Sequence, residues 1–254
     1  MGRRIGIFTY GVVSYAIFFA SFLYAVGFVG GFVVPRTVDG PLEGSLAAAL
    51  AIDLGLLAIF AVQHSVMARP PFKRWLTRFV PEPAERSTYV LASSIALLLL
   101  FWQWRPIGGV VWHLESPVAQ AVAYTIFAVG WATVLTCTFL INHFDLFGLR
   151  QVWLELRGEP YTDLKFGTPG PYKVVRHPLY VGWLLAFWAT ATMTATHLLF
   201  AVMTTAYILI AIKLEERDLI AAHGEYAEYR RNVGMLFPRA SRSRREPTPA
   251  RHHA

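Results

Sequence analysis

The chain alternates long apolar runs with short polar ones. Ile5 to Val34 is thirty residues without a charge, and Pro35-Arg36-Thr37-Val38-Asp39-Gly40-Pro41 closes it with turn-forming residues. Comparable runs cover Gly44 to Val66, broken only by Asp53, then Ser87 to Trp104, and Pro117 to Ile141. A hydrocarbon core of about 30 Å takes about 20 apolar residues in a helix, so these four runs read as transmembrane helices. After a polar stretch, Leu179 to Ala195 and Leu198 to Ile212 read as two shorter helices, with Thr194, Thr196 and His197 in their tight connection. The first run is too long for the apolar core of a signal peptide, and no small-residue cleavage site closes it. The expected fold is an all-α integral membrane protein of five to six transmembrane helices, ending in a C-terminal helical hairpin. Six spans follow if the hairpin crosses, five if it only dips in.

Basic residues orient these spans. Arg3 and Arg4 precede the first, and Arg69, Lys73, Arg74, Arg78 and Arg86 follow the second. Arg150, Arg157, Lys165, Lys173 and Arg176 lie before the hairpin, and the chain from Lys213 onward is densely basic. The alternate loops hold Arg36 or Arg105 alone. Lys and Arg concentrate in cytoplasmic loops, which predicts cytoplasmic N- and C-termini in the plasma (inner) membrane. Composition agrees: 55% of residues are hydrophobic and 15% charged, against about 25% charged in soluble domains. The net charge of +7 is spread over loops and tail, so it points to the lipid bilayer and to no nucleic acid. The single cysteine, Cys137, excludes a disulfide framework, a cysteine-based zinc knuckle and a CxxC redox pair, and no metal site is expected. In mid-span it reads as core packing. Residues 1–150 form the N-terminal set of four spans. Residues 151–238 form a loop, hairpin and closing segment, and 239–254 a disordered basic tail.

Candidate chemistry concentrates in the last 110 residues. Gly167-Thr168-Pro169-Gly170-Pro171-Tyr172 leads into Lys173-Val174-Val175-Arg176-His177-Pro178-Leu179-Tyr180-Val181-Gly182. Pro178 suits the first turn of a helix, which puts Arg176 and His177 at a helix N-terminus, where backbone N–H groups and positive charge hold an anionic group such as a carboxylate. Gly182 lets another backbone or a flat ligand approach. Glu215 and Glu216 stand where the last span emerges, a costly place unless arginine or a ligand pairs with them. Tyr226, Tyr229 and Arg230 follow. A short hairpin brings these groups beside Arg176 and His177. Two readings stay open: a cavity for a zwitterionic, cation-bearing ligand, or a salt-bridge network that locks the hairpin.

RHPLYVG, EERDL and HGEYAEYRR, in that order around one hairpin, resemble the signature of the membrane methyltransferases related to isoprenylcysteine carboxyl methyltransferase and phospholipid N-methyltransferase. The resemblance runs from about Gly167 to Pro238. It implies a cytoplasmic pocket for S-adenosyl-L-methionine. Arg176, His177, Leu179, Tyr180 and Gly182 fall on its cofactor-binding segment. Glu215 and Glu216 fall on the acidic pair that contacts the ribose and amino-acid portions of the cofactor. Tyr226, Tyr229 and Arg230 fall on the segment that closes over it. No soluble glycine-rich dinucleotide fingerprint is present. Gln63-His64-Ser65-Val66-Met67-Ala68-Arg69 and Asn142 to Trp153 (NHFDLFGLRQVW) resemble the members that methylate a small thiol, methanethiol, to dimethyl sulfide. Membrane proteins named for nitrite and nitric oxide metabolism share parts of the N-terminal pattern.

A thiol reacts as its thiolate, so a base at the pocket rim fits this chemistry. His64 and His143 stand at expected cytoplasmic helix ends, and Asp145 would orient a histidine or act directly. The plainer role for His64 is a cap-like hydrogen bond to a loop. His197 and His113 belong to turns at the opposite face, and Asp53 either faces a cavity or sits near the outer interface. Trp102, Trp104, Trp112, Trp183 and Trp188 read as interface anchors. Two alternatives remain. A prenylcysteine carboxylate or lipid amine as acceptor would need a tunnel open to lipid. A membrane haem or quinone protein would use His64, His143 and His177 as ligands, although no CxxCH is present.

Overall fold

The computed structural model describes residues 1–239. The expected disordered tail therefore lies, from residue 240 on, outside the described residues. In chain order the elements begin with α1 (Gly2–Gly30), α2 (Leu46–Met67), α3 (Pro70–Leu76), α4 (Glu85–Gln103) and strand β1 (Val110–His113). They continue with α5 (Pro117–Ile141), α6 (His143–Leu146), α7 (Leu149–Arg157), α8 (Pro178–Trp188), strand β2 (Thr192–Thr194), α9 (Ala195–Ala222) and α10 (Tyr226–Asn232). Five of the helices, α1, α2, α4, α5 and α9, are long and apolar enough to cross a membrane, which makes this a multi-pass membrane protein. Apolar surroundings offer the backbone no water, so continuous helices that satisfy their own N–H and C=O groups are the stable answer.

Contacts at the two ends of the bundle give the direction of each helix. At one end Arg3 of α1 meets Glu155 of α7 at 3.0 Å. There Ser65 of α2 hydrogen-bonds Tyr207 of α9 at 3.2 Å, and Ser87 of α4 donates to Gly148 O at 3.4 Å. At the other end the Trp104 indole donates to Val38 O at 3.0 Å, and Arg105 N–H donates to Asp53 Oδ1 at 2.9 Å. The chain therefore alternates direction through α1, α2, α4, α5, α8 and α9.

Two details of the expected hairpin are corrected. The helix beginning at Pro178 ends at Trp188, not near Ala195, and β2 pairs antiparallel with β1 through Trp112↔Met193 and His113↔Thr192. Among the described residues the fold is mostly helical, as expected, with one short two-stranded ribbon that the expectation lacked. At about 1.5 Å per residue, the 11 residues of α8 give about 16 Å, and an extended stretch completes the passage to the opposite end. Hydropathy reports apolar surroundings and not backbone conformation, so the threonine-rich stretch 190–194 was indistinguishable from helix. The next helix does not stop at Ile212 but runs on to Ala222, because Lys213-Leu214-Glu215-Glu216-Arg217 are good helix formers in water as well. His197, expected in a turn, is buried: its Nε2 lies 2.9 Å from Phe187 O and its Nδ1 3.3 Å from Asp39 Oδ2.

The core is aromatic. Phe28, Phe101, Trp104, Phe127, Trp131 and Phe187 form one buried cluster between α1, α4, α5 and α8. Lipid offers no hydrophobic drive between helices, so close approach of small residues carries the packing. At the crossing of α5 and α8, Gly130 and Gly182 face each other backbone to backbone. A Cβ on Gly182 would meet Gly130 O and Val134 N at 2.9 Å. Gly182→Val is expected to cost about 1–3 kcal/mol through overpacking, read as a thermal unfolding midpoint several degrees lower in detergent, with Leu179→Val as the volume control.

Candidate active site

His177 occupies the cap position before α8, and Pro178 opens the helix without wasting an N–H. The strand-like segment in front of it is pinned by the chain returning after α10. Val175 forms a parallel bridge with Gly234, Arg176 N–H donates to Gly234 O at 2.8 Å, and His177 N–H donates to Met235 O at 3.1 Å. The two glutamates approach from α9.

Their environments differ sharply. Glu216 is 4% exposed and fully engaged: Oε1 accepts from Arg176 Nε at 2.7 Å and lies 3.0 Å from His177 Nε2, while Oε2 lies 3.0 Å from Arg230 Nε. The Arg176 guanidinium also donates to Arg230 O at 3.0 Å and to Val233 O. Glu216 therefore ties α8, α9 and α10 together. The Glu215 side chain is 43% exposed. Its Oε2 accepts from the Tyr180 hydroxyl at 3.0 Å, which leaves Oε1 for a ligand.

Three aromatic rings pack together beside α9. Tyr226 and Tyr229 of α10 pack edge to face at 5.5 Å, and Phe166 lies 5.7 Å from each. The Tyr229 hydroxyl donates to Tyr172 O at 2.5 Å. The Tyr226 hydroxyl is buried without a hydrogen-bond partner among the described residues, and the buried Tyr172 hydroxyl has the Cys137 thiol of α5 beside it. Buried polar groups are normally paired, and in this cluster the Tyr226 hydroxyl is free to donate to a ligand's acceptor. Burial pushes the Tyr229 hydroxyl up to about 12 and holds those of Tyr172 and Tyr226 well above the usual phenol range. All three are protonated donors at neutral pH. A free carboxylate, protonated phenols and ring faces suit a ligand with ribose hydroxyls, an amino acid and a cation.

The remaining expected residues fall in separate places. Leu179 is half-buried beside this cluster. Gly182 meets the backbone of α5 rather than open space. His64 lies in a hydroxyl cluster, with Tyr89 OH 2.8 Å from Nε2 and Ser93 Oγ 3.2 Å from Nδ1. His143 is buried at the start of α6, with Tyr15 OH 2.8 Å from Nε2 and Thr138 Oγ1 2.8 Å from Nδ1, and Phe139 stacks on its ring at 4.2 Å. Asp145 pairs with Arg150 at 2.8 Å. Among the described residues no hydrogen bond or ion pair joins His143 or Asp145 to the Arg176–Glu216 cluster. Tyr172, Phe166, Tyr89 and Tyr207 were not expected at a site. Tyr172 stands in the glycine- and proline-rich loop just before the motif, which was a usable signal; the other three carried none.

A family model described as phospholipid methyltransferase matches residues 118–225, from α5 to the residue before α10. The chain is 58% identical over 236 residues to a methanethiol S-methyltransferase of Crocosphaera subtropica, covering 92% of each chain. It is 56% identical over 230 residues to a methanethiol S-methyltransferase of Mycobacterium tuberculosis, covering 90% of this chain and 94% of that one. Nurim of Sus scrofa is 32% identical over 188 residues, 70% of each chain. No solved structure matches. The chain belongs to the methanethiol S-methyltransferase family, within the membrane methyltransferases related to phospholipid methyltransferase.

Glu216→Ala leaves two guanidinium groups without their carboxylate. Breaking a buried pair from one side costs about 3–5 kcal/mol, so its thermal midpoint is expected to fall by about 10 °C, whereas Glu215→Ala stays within about 2 °C of wild type. Burial holds the His143 imidazole below the usual histidine value. The folded state therefore disfavours its protonation, and the stability it contributes is full above about pH 6.5 and is lost as pH falls below that. Thermal midpoints measured from pH 7.5 to 5 should decline less steeply in His143→Gln than in wild type.

Proposed function

We propose that the protein transfers the methyl group of S-adenosyl-L-methionine to methanethiol, forming dimethyl sulfide, in the pocket bounded by α8, α9, α10 and the loop at Phe166–Tyr172. The observation that carries this reading is the nearness of Glu215, whose Oε2 is held by Tyr180 while Oε1 stays open, to the buried and unpaired Tyr226 hydroxyl. The methanethiol S-methyltransferases among its relatives supply the acceptor. The pocket lies at the end of the bundle that also carries Arg3, Arg69 and Arg86. This supports a cytoplasmic orientation with both termini inside and a plasma-membrane location.

The cofactor brings an electrophilic methyl group on a sulfonium. The chain binds, orients and dehydrates it. Glu215 Oε1 would accept from ribose hydroxyls or the amino group, and Tyr180 fixes that carboxylate through Oε2. Tyr226 would donate to an acceptor of the same molecule, and the rings of Phe166, Tyr226 and Tyr229 would exclude water and offer faces to its positive charge. Arg176, Arg230 and His177 act on Glu216, not on the ligand, and hold the three elements in register. Alignment of nucleophile, methyl carbon and leaving sulfur in such a pocket supplies several kcal/mol. Of the three expected catalytic residues, His64 is the proton acceptor in this reading. Its ring nitrogens lie 3.0 and 2.8 Å from the Tyr89 hydroxyl, and the adjacent Ser65 meets Tyr207 of α9 at 3.2 Å. His143 and Asp145 instead shape the turn that ends α5.

Purified protein given S-adenosyl-L-methionine and methanethiol should release dimethyl sulfide into the headspace. Glu215→Ala should bind the cofactor at least about tenfold more weakly, since a charged hydrogen bond contributes about 1.5–3 kcal/mol. Cofactor binding without dimethyl sulfide would sink the thiol assignment and move attention to carboxylate or amine acceptors. Unchanged cofactor affinity in Glu215→Ala would remove that residue from the pocket.

A further inference from the structure

The turn between α2 and α4 carries chemistry that the methyl-transfer pocket does not use. No acid occurs between Asp53 and Glu82, while Arg69, Lys73, Arg74 and Arg78 all fall there. Arg69 is engaged by Asp218 of α9 at 2.5 Å, and Lys73 is half-buried. Arg74 and Arg78 are exposed, and among the described residues neither has a carboxylate partner.

Helical hydrogen bonding runs on past α3, with Thr77 N–H donating to Lys73 O and Val80 N–H to Leu76 O, each at 3.0 Å. Positions four apart therefore share a face: Arg74 with Arg78, and Trp75 with Phe79 on the stripe beside it. Phe72 extends the second stripe. The rings pack in series, Phe72 on Trp75 at 5.1 Å and Trp75 on Phe79 at 5.4 Å. Trp75 is 49% exposed and Phe79 72%. A row of exposed rings beside two unpaired cations is the pattern of a segment that lies in a membrane interface.

Phe79 also borders a cavity of about 440 Å³ between this segment and the first turns of α1. Ile7, Val80, Pro81 and Ala84 give it an apolar wall, and its two hydroxyls, those of Tyr10 and Thr88, bond each other at 3.0 Å. Ile7 and Tyr10 lie about 7 and 12 Å along α1 from its first residue. Interfacial helices bury their apolar faces to about 5–10 Å, at the boundary of headgroups and acyl chains. The cavity and the ring row therefore meet lipid at the level where a headgroup gives way to its chains.

We propose that residues 72–80 and the cavity beside them form a binding site for an anionic phospholipid. Arg74 and Arg78 attract its headgroup, the rings of Phe72, Trp75 and Phe79 lie along the acyl boundary, and the cavity receives part of a chain. Charge selects this occupant. A zwitterionic lipid brings the same chains with no net charge to answer two cations, whereas each cation near an anionic leaflet favours it by about fivefold.

Trp75 reports on the site. The full chain is placed in nanodiscs of phosphatidylcholine containing a tenth of brominated phosphatidylglycerol or of brominated phosphatidylcholine. The fluorescence absent from Trp75→Phe is the Trp75 component. Phosphatidylglycerol should quench it at least about threefold more strongly than phosphatidylcholine, and salt at about 1 M, where the Debye length is about 3 Å, should remove the preference. In the double variant Arg74→Gln/Arg78→Gln the two lipids should quench alike, with the thermal midpoint within about 2 °C of wild type. Equal quenching in wild type would reduce the row to contact with bulk lipid and overturn the site. Quenching by neither lipid would put the rings in water, and a preference that survives in the double variant would remove the two arginines from the site; each overturns it as well. No arm depends on methyl transfer, so failure here and failure of the thiol reading are told apart.

Discussion

A single buried carboxylate organises the functional end of this molecule. Glu216 accepts two guanidinium groups and an imidazole from two other segments, the turn before α8 and the helix α10, and each of those groups would lose its carboxylate without it. A charge in this position is tolerated only because its partners are already in place. The chain therefore has to bring the loop before α8, the end of α9 and the helix α10 together before any of them is stable there. Arg176 extends the same constraint to the backbone through its bonds to Arg230 O and Val233 O. The exposure of Glu215 follows from that convergence: once Glu216 is sealed, its neighbour emerges one helical step away with its side chain 43% exposed.

This division of labour shows how two adjacent acids of the same type can serve different ends. Successive residues on a helix point about 100° apart, so one faces the junction of three segments and the other faces the gap they enclose. The phenols complete the gap. Held protonated by burial, they present donors near the acceptor that Glu215 presents, which is the complementarity on which the proposed cofactor site rests.

Much of this was legible in the chain. Pro117–Ile141 was recognised at both ends, and the first three spans to within a few residues, because apolar runs of that length in a protein this poor in charge are the length a bilayer requires. The Arg176-His177-Pro178 and Glu215-Glu216 clusters were found because charges beside hydrocarbon demand partners. Which glutamate is sealed and which is free was not legible, since it depends on the return of Val233–Met235 alongside residues 175–177. Tyr89 and Tyr207 were invisible for another reason. A tyrosine inside an apolar run reads the same whether it faces lipid, a neighbouring helix or a pocket, and only the partner helix decides. The ribbon β1–β2 escaped notice because its strands are short and their partners lie on opposite sides of α5.

The depth at which the site sits is set partly from the far end of the bundle. Helix α8 is too short to span on its own, so two contacts set its height: the Gly130–Gly182 crossing with α5, and the hydrogen bond between His197 Nε2 and Phe187 O. The latter catches a carbonyl near the last turn of α8, where no intrahelical partner remains. Asp39 backs His197 from the loop after α1, and Thr194, which caps α9, also bonds Asp39. The start of α8 carries His177 and Tyr180, so any shift of this rod along its axis would move both relative to Glu215 and Glu216. A short, rigid, doubly anchored helix is thus a way to keep the two glutamates in register with their partners across a bilayer's width.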